Sequence, residues 1–254
     1  MNFRSIKVQL NLFLAAYTIF WAILEPRFVF VAGLFWAVLF CVLIEGLILL
    51  LKTKKFQITA SAITSGLILG FVFSAESPWW MFLTVALLTV GLKRLLQFHG
   101  KNLLNPAACG IFLASLFLKG ATEWNGAYVW YILIPAGLYI VHKIRKLEIV
   151  LSYLAVSLLL FVPQAIAQNA PVLGVFGYFN LFFIFIMLIE PKTTPATRPA
   201  KIIFGAGVAL IVFLLTEWSF RYEPELFALL VLNALTPWIN KIPNFKFSTA
   251  AKTA

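Results

Sequence analysis

The feature that most limits how this chain can fold is a series of long apolar runs separated by short polar connections. Of the 254 residues, 62% are hydrophobic and 11% are charged, whereas a soluble domain is about half apolar and about a quarter charged. A helix needs roughly 20 apolar residues to cross the hydrocarbon core of a bilayer. The sequence therefore predicts an all-α, polytopic protein embedded in a lipid bilayer.

Ten apolar runs are bounded by charged residues, proline or glycine, and each run predicts one transmembrane helix. The predicted helices cover residues 8–24, 29–51, 57–75, 79–96, 103–118, 126–142, 147–166, 172–189, 200–217 and 225–240. An even number of crossings returns the chain to the side from which it started. We therefore predict one transmembrane domain over residues 1–240, followed by a cytoplasmic tail or linker over residues 241–254.

The charges between the runs predict the orientation of the chain. All lysines and arginines except Arg27, Lys119 and Arg221 fall on the side of the N-terminus, and most of the nine acidic residues fall on the other side. Basic loops mark the cytoplasmic face of a membrane protein. We expect both termini in the cytoplasm and a location in the cytoplasmic (inner) membrane. The same rule accounts for the net charge of +11 without a nucleic-acid partner.

The segment HGKNLLNPAACG, residues 99–110, is polar where the neighbouring sequence is apolar. Asparagine is a preferred N-cap and proline a preferred first helical residue, so the fifth helix is predicted to begin at Pro106, behind Asn105. The free amides of its first turn, together with Lys101 and His99, favour an anion, a carbonyl group or an electron-rich heterocycle. A capped helix with two cations that extend to the membrane surface is the alternative.

The segment SAITSGLILG in the third run places small and hydroxyl side chains close together. Ser61, Thr64 and Ser65 are spaced at i, i+3 and i+4, so they share one helical face. Gly66 and Gly70 allow a neighbouring helix to approach closely. The pattern is consistent with residues that line a binding site, and equally with close packing of helices through small residues.

The segment MLIEPKTTPATRPAK follows the eighth run and contains prolines at positions 191, 195 and 199. A continuous helix does not tolerate this spacing, so the chain is predicted to be extended here. Pro199 is predicted to open the next helix. The segment carries polar side chains that line either a site or a solvated loop: Glu190, Thr193, Thr194 and Thr197.

Several motifs follow one another in a distinctive order: SAITSGLILG, SPWW, GLKRLLQFHGKNLLNPAACGIF, FIMLIEPKTTPATRPAKIIFGAG and ELFALLVLNALTPWIN. As an ordered set over residues 57–240, they resemble the NqrB/RnfD family, the membrane flavoproteins of the sodium-pumping NADH:quinone reductase and of the Rnf complex. The resemblance implies ten helices in two inverted five-helix halves. NLLNP in the fifth run and LNALTP in the tenth are consistent with such halves.

The resemblance also implies a redox function. Members of this family carry flavin, as FMN, riboflavin or both, and pass electrons across the membrane. The implied partners are a cytoplasmic NADH-linked or ferredoxin-linked electron donor and an electron acceptor on the outer side. The chain would then be a component of a membrane oxidoreductase rather than a self-contained enzyme.

One family motif, D-x-x-S/T-G-A-T, carries an FMN in phosphoester linkage on its threonine. The matching segment, LFLKGAT, ends at Thr122 and has Leu116 in place of the acid and Lys119 in place of the hydroxyl residue. These departures argue against covalent attachment at Thr122. The segment still allows a flavin that is bound noncovalently, with Lys119 near its phosphate.

Two other family motifs supply candidate flavin ligands. Asn102 and Asn105 match the N-x-x-N-P signature, and Glu190 and Thr193 match D-P-x-T-x-P with glutamate in place of aspartate. An amide can both donate to and accept from the N3–H and carbonyl edge of an isoalloxazine ring. The full set of predicted cofactor-binding residues is Ser61, Thr64, Lys101, Asn102, Asn105, Lys119, Thr122, Glu190, Thr193 and Thr194.

The sequence is also consistent with two other classes of protein. Inverted five-helix halves also build channels and transporters, in which the same polar groups would line a path for a small solute or ion. A membrane anchor that only holds partners together would tolerate the loss of Asn102 and Asn105. Haem needs axial ligands, and it is not expected because the two histidines, His99 and His142, both lie at predicted cytoplasmic helix ends.

Overall fold

The structure is a computed structural model that describes residues 6–24, 27–98 and 101–243. The described chain consists of helices joined by short connections, together with one small hairpin, in agreement with the predicted all-α fold. His99 and the part of the predicted tail from residue 244 onward lie outside the described residues.

Nine of the ten predicted runs form α-helices within the described residues. They are α1 (Ile6–Leu24), α2 (Phe28–Thr53), α3 (Ala60–Val72), α4 (Trp79–Leu95), α5 (Pro106–Leu118), α6 (Trp130–Lys143), α7 (Leu147–Ala167), α8 (Arg198–Glu217) and α9 (Pro224–Ile239). Two-residue strands, β1 (Gln97–Phe98) and β2 (Lys101–Asn102), pair antiparallel between α4 and α5. This hairpin brings Asn102 back beside the end of α4.

Three α-helices in the described part of the chain are long and apolar enough to cross a membrane, namely α2, α7 and α8. Shorter apolar helices lie within α1, α3, α5 and α9. α2 packs along α3 and α4, and α7 packs along α8. The fold is therefore that of a membrane protein with several apolar helices.

Helices α3 and α5 are short for a membrane protein. Each has 13 residues, which corresponds to about 20 Å of helix. A hydrocarbon core is about 30 Å thick, so a helix of this length ends inside it. The free backbone groups at such an end need partners from the protein, because lipid offers none.

The eighth run does not form the continuous helix predicted over residues 172–189. Val172–Tyr178 is a 3-10 helix and Phe183–Met187 is a π-helix, with a break between them. The side chain of Asn180 accepts a hydrogen bond from the backbone N–H of Phe183 at 3.0 Å. This bond caps the helical piece that begins after Asn180, so the run is divided at this residue.

Helices α2 and α3 approach each other closely at two glycines. A Cβ atom on Gly66 would lie 2.6 Å from the Cα atom of Val38, and one on Gly70 would lie 2.8 Å from the Cα atom of Leu34. The contacted atoms belong to the backbone, so no side-chain rotation could relieve the overlap. The close approach predicted from the SAITSGLILG segment is confirmed.

A buried carboxylate joins three of the helices. Glu45 on α2 is 3% exposed and pairs with Lys93 on α4. It also accepts a hydrogen bond at 2.8 Å from Thr59, the N-cap of α3, and lies 3.7 Å from the Arg94 guanidinium. Partners of this kind are what make a buried charge tolerable in apolar surroundings.

We expect Gly66→Ala to lower the free energy of unfolding by about 1–3 kcal/mol, because the added methyl group overlaps the backbone of α2. Gly91 on α4 is the matched control, since an added Cβ atom there would meet nothing within 4 Å. Gly91→Ala should be neutral or stabilising, because alanine favours the helix by up to about 1 kcal/mol. Thermal unfolding in detergent measures both; equal stability of the two variants would contradict the close contact.

Replacing Glu45 with glutamine should destabilise the protein by roughly 3–5 kcal/mol, because Lys93 would then be a buried charge without its carboxylate. The double variant Glu45→Gln/Lys93→Met removes both charges and should recover part of the loss. Thermal unfolding of the two variants in the same detergent checks this. A double variant no more stable than the single one would show that the pair is not the cause.

Candidate functional site

The start of α5 is formed as the sequence predicts. The side chain of Asn105 caps the helix by accepting a hydrogen bond from the backbone N–H of Ala108 at 3.1 Å, and Pro106 occupies the first helical position. The cap satisfies one of the free amides of the first turn. Asn105 is almost completely buried, so the beginning of α5 lies inside the protein.

A second asparagine, Asn233 on α9, joins this helix start to the segment after the eighth run. Its Oδ1 atom accepts a hydrogen bond from the Asn105 backbone N–H at 2.9 Å, and its amide nitrogen donates to the Thr193 carbonyl oxygen at 3.3 Å. The hydroxyl of Thr236 also lies 3.1 Å from the Thr193 oxygen. We call the polar residues around these contacts the asparagine cluster; its members are Asn102, Asn105, Thr193, Thr194, Asn233 and Thr236.

The segment around Thr193 is folded into turns, so the prediction of an extended chain is wrong. The Glu190 carbonyl oxygen accepts from the backbone N–H of Thr193 at 3.3 Å and from the hydroxyl of Thr194 at 2.8 Å. Threonine side chains that bond to nearby backbone stabilise such turns. Pro199 lies in the first turn of α8, as predicted.

A cavity of about 340 Å³ lies against the asparagine cluster, and we call it the asparagine cavity. Its volume falls within the range of roughly 300–1,000 Å³ that is typical of small-molecule sites. Of the predicted residues, Asn102, Thr193 and Thr194 line it. The other lining residues are Leu103, Lys146, Pro191, Lys192, Ala196, Asn233, Thr236, Pro237 and Asn240.

The remaining predicted residues on this side line a separate and much smaller void. Ser61, Thr64, Asn105 and Glu190 surround about 20 Å³, together with Asn102. A space of this size holds about one water molecule. The predicted residues that the structure places on this side are therefore divided between two voids, and Asn102 borders both.

The hydroxyl of Thr64 has a structural partner that the sequence did not indicate. It lies 2.7 Å from the side-chain oxygen of Asn11 on α1, and the Asn11 amide in turn donates to the Ala60 carbonyl at 2.8 Å. These bonds fix α1 against the start of α3. Lys101 lies in β2, and its side chain is outside the described part of the structure.

The other predicted site lies beyond the opposite end of α5, in residues 119–124, which we call the GAT loop. The loop runs beside the end of α3: the Ser74 backbone N–H donates to the Ala121 oxygen at 3.0 Å, and Thr122 forms an isolated antiparallel bridge with Phe73. Lys119 is exposed and ends α5 in a left-handed conformation with φ 53°. The asparagine cluster and the GAT loop are thus separated by the length of α5.

Thr122 is bonded to a carboxylate that the sequence analysis did not connect with it. Its hydroxyl donates to Glu223, just before α9, and the Trp124 indole N–H donates to the other carboxylate oxygen at 3.0 Å. A cavity of about 280 Å³ lies beside this contact. We call it the glutamate cavity; its lining residues are Trp124, Phe161, Gly177, Tyr178, Asn180, Val212, Thr216, Glu223 and Glu225.

The GAT loop also contains Glu123, a glutamate whose carboxylate accepts hydrogen bonds from other segments. Burial acts to raise the pKa of Glu123, but hydrogen bonds and charge act in the other direction and hold this pKa below its usual value. The Ala75 backbone N–H and the Arg27 guanidinium each lie 3.0 Å from its carboxylate oxygens. Glu123 is therefore a charged anchor between the loop and the start of α2.

Reasoning from the sequence missed several residues that the structure brings to these sites, among them Asn233, Thr236, Lys146 and Glu223. Asn233 and Thr236 are amide and hydroxyl groups in an apolar helix, and such residues in a membrane segment indicate a functional or packing contact. That signal was present in the LNALTP motif. Lys146 and Glu223 lie in short connections, where charged residues are common, and their contacts with Pro195 and Thr122 cannot be read from spacing.

Known proteins resemble this chain along most of its length. The family model for the NQR2, RnfD, RnfE family matches residues 2–129 and 113–247. A relative in Marinobacter nauticus, named as a subunit of an ion-translocating oxidoreductase complex, is 23% identical over an alignment of 252 residues that covers 71% of this chain and 72% of the relative.

A protein of the same name from Sodalis glossinidius is 26% identical over 181 residues, which cover 68% of this chain and 51% of that relative. A shorter match, 36% identical over 53 residues, is to the protein of the same name from Stutzerimonas stutzeri. The family model covers well over half of the chain. On this basis the chain is a member of the NQR2, RnfD, RnfE family.

Proposed function

We propose that the chain is a flavin-binding electron carrier within a membrane oxidoreductase complex. The relatives are named as subunits of ion-translocating oxidoreductase complexes, which supports a role in membrane electron transport. The order of motifs in the sequence supports the same role. The flavin, its site and its redox partners are the parts of the proposal that experiments must test.

The observation that carries the proposal is the asparagine cavity. Three amide side chains and three hydroxyl side chains line it: Asn102, Asn233, Asn240, Thr193, Thr194 and Thr236. Polar groups at depth in a membrane protein normally face another helix or a site. Amides and hydroxyls match the donor and acceptor edge of an isoalloxazine ring, and the volume suits a small-molecule ligand.

In this proposal the protein binds and tunes the flavin, and the flavin supplies the electron chemistry. Asn102 and Thr194 hydrogen-bond the polar edge of the ring. Asn233 and Thr236 keep the Thr193 turn in place through its carbonyl oxygen, at 3.3 and 3.1 Å.

The proposed topology has ten membrane segments in two inverted halves. In each half the third segment is short or broken: α3 has 13 residues, and the eighth run is split into a 3-10 and a π-helical piece. The fifth segment of the first half, α5, is equally short. The fifth segments, α5 and α9, contact each other at Asn105 and Asn233. Short or broken helices in corresponding positions are typical of inverted repeats with a central site.

We place the asparagine cavity on the cytoplasmic side of the inner membrane and the GAT loop on the outer side, with both termini in the cytoplasm. The basic residues near the asparagine cluster support this orientation. The electron donor would then be a cytoplasmic NADH-linked or ferredoxin-linked protein, and the acceptor would lie on the outer side.

We expect protein purified from membranes to be yellow and to bind flavin in the asparagine cavity. Asn102→Leu keeps a similar side-chain volume but removes the amide, so flavin affinity should fall by roughly 10-fold to 100-fold, as expected for the loss of one or two hydrogen bonds. Flavin absorbance per chain and titration by fluorescence quenching measure the effect.

The matched control is Asn169→Gly, in the turn after α7. Asn169 has φ 55°, a conformation that glycine adopts freely, and it does not line the cavity. The flavin affinity of this variant should be unchanged.

Colourless protein that carries a saturable solute flux in liposomes would instead support a channel or transporter. Unchanged function after loss of Asn102 and Asn105 would support a membrane anchor.

We further propose that no flavin is attached covalently to Thr122. Its hydroxyl already donates to the Glu223 carboxylate, whose negative charge disfavours a phosphoester at this position. Denaturation in SDS should release all of the flavin. Flavin fluorescence that stays on the denatured chain and disappears in Thr122→Ala would contradict this.

A further inference from the structure

A narrow cleft lies between α1 and α6, and we call it the lysine cleft. Leu10 and Phe13 of α1 and Ala136, Ile140 and Ile144 of α6 form its apolar walls. Its described lining residues differ from those of the asparagine and glutamate cavities. Its volume of about 70 Å³ is well below the roughly 300 Å³ at which small-molecule sites begin. The cleft therefore suits part of a slender chain and not a compact ligand.

Side-chain contacts join α1 and α6 at two levels. At one level the Lys143 ammonium group donates to the side-chain oxygen of Gln9, and at the other the rings of Phe20 and Tyr131 lie 6.4 Å apart. Most of the apolar wall of the cleft lies between these levels. On α1 the interval from Gln9 to Phe20 corresponds to about 16 Å of helix, which is close to half of a hydrocarbon core about 30 Å thick. The interval therefore matches one leaflet of a bilayer.

The surface around the cleft is apolar. Leu12 on α1 and Leu138 on α6 are exposed, and every residue of α6 from 132 to 138 is apolar. The opposite side of α6 packs against the protein, because a Cβ atom on Gly137 would lie 2.4 Å from the Phe185 ring. Exposed apolar surface of this kind in a membrane protein faces lipid, so lipid chains have direct access to the cleft.

At one end of the cleft lies a lysine whose described partners are neutral. Lys143 is in the last turn of α6, and its ammonium group donates to Gln9 and, at 3.0 Å, to the Tyr139 hydroxyl. The same group lies 5.2 Å from the centre of the Tyr139 ring. None of the ion pairs between described residues includes Lys143. An ammonium group has three N–H donors, so one donor and the whole positive charge are left for an anion.

We propose that the lysine cleft binds an anionic phospholipid, with its phosphate on Lys143 and part of one acyl chain between α1 and α6. Anionic lipids are concentrated in the cytoplasmic leaflet, which is the side on which we place this end of α6. Basic pockets between membrane helices bind anionic headgroups in this way. The inference goes beyond the proposed function and does not depend on a flavin, because the lipid would link two helices that are distant from both candidate flavin sites.

The test is native mass spectrometry of the whole chain, delipidated in detergent and titrated with phosphatidylglycerol or with phosphatidylcholine of the same acyl chains. Both lipids have a phosphate, but the choline group cancels its charge. Phosphatidylglycerol should bind about 5-fold more tightly, as expected for one basic residue at a membrane surface. Lys143→Met should remove this difference by weakening phosphatidylglycerol alone, and Lys143→Arg should keep most of it.

Two further variants show whether the cleft itself is the site. Lys52→Met removes a lysine in the last turn of α2 that does not line the cleft, and it should leave the preference unchanged. Ala136→Phe fills the cleft without removing a charge, so it should weaken the binding of both lipids. Thermal unfolding in detergent without added lipid shows whether Ala136→Phe is folded; if it is not, Ala136→Leu adds less volume and takes its place.

Several results would overturn the inference. Equal affinity for the two lipids in the unmodified chain would exclude recognition of an anionic headgroup. Equal losses in Lys52→Met and Lys143→Met would show attraction to basic surface in general. Unchanged lipid binding in a folded variant with a filled cleft would place the lipid elsewhere, and retention of neither lipid would leave the cleft to a different partner. Flavin binding is measured separately, so none of these results bears on the proposed function.

Discussion

The side chain of Asn233 satisfies backbone groups from two segments that end inside the protein. Its oxygen accepts from the Asn105 amide and its nitrogen donates to the Thr193 carbonyl. In lipid, a backbone group without a partner costs several kcal/mol, so a helix as short as α5 requires such a contact. Because Asn105 is buried, α5 begins inside the protein, where a side chain from α9 satisfies the backbone N–H of its N-cap residue.

The two ends of α5 provide different electrostatic environments. Lysines line the cavity at its start, and glutamates line the cavity beyond its end. The dipole of α5 adds to this difference, because its positive end lies at Asn105. A ligand or reduced group with negative charge is therefore stabilised at the asparagine cavity and destabilised beside the GAT loop. Phe183 and other buried aromatic residues belong to the apolar core of the protein.

The sequence correctly predicted features that depend on residues close together in the chain. The start of α5 at Pro106 follows from its cap, and the close contact at Gly66 follows from the absence of a side chain. The broken eighth segment was missed because hydropathy does not register the helix cap that Asn180 provides inside the run. Pairing over long separations was missed as well: Thr122 lies 101 residues from Glu223, and Lys146 lies 49 residues from Pro195. Thr193 was predicted, but the turn that presents it depends on contacts from α9.

The shortness of α5 has an electrical consequence. Its 13 residues span about 20 Å, less than the roughly 30 Å of hydrocarbon. Where polar cavities reach into the membrane from both faces, the transmembrane voltage falls mainly across the apolar layer between them. A charge that passes from one end of α5 to the other would therefore cross most of the voltage, which is worth about 2.3 kcal/mol per elementary charge for each 100 mV. Under the proposed function, electron movement along this helix would be electrogenic, and its driving force would depend on the membrane voltage.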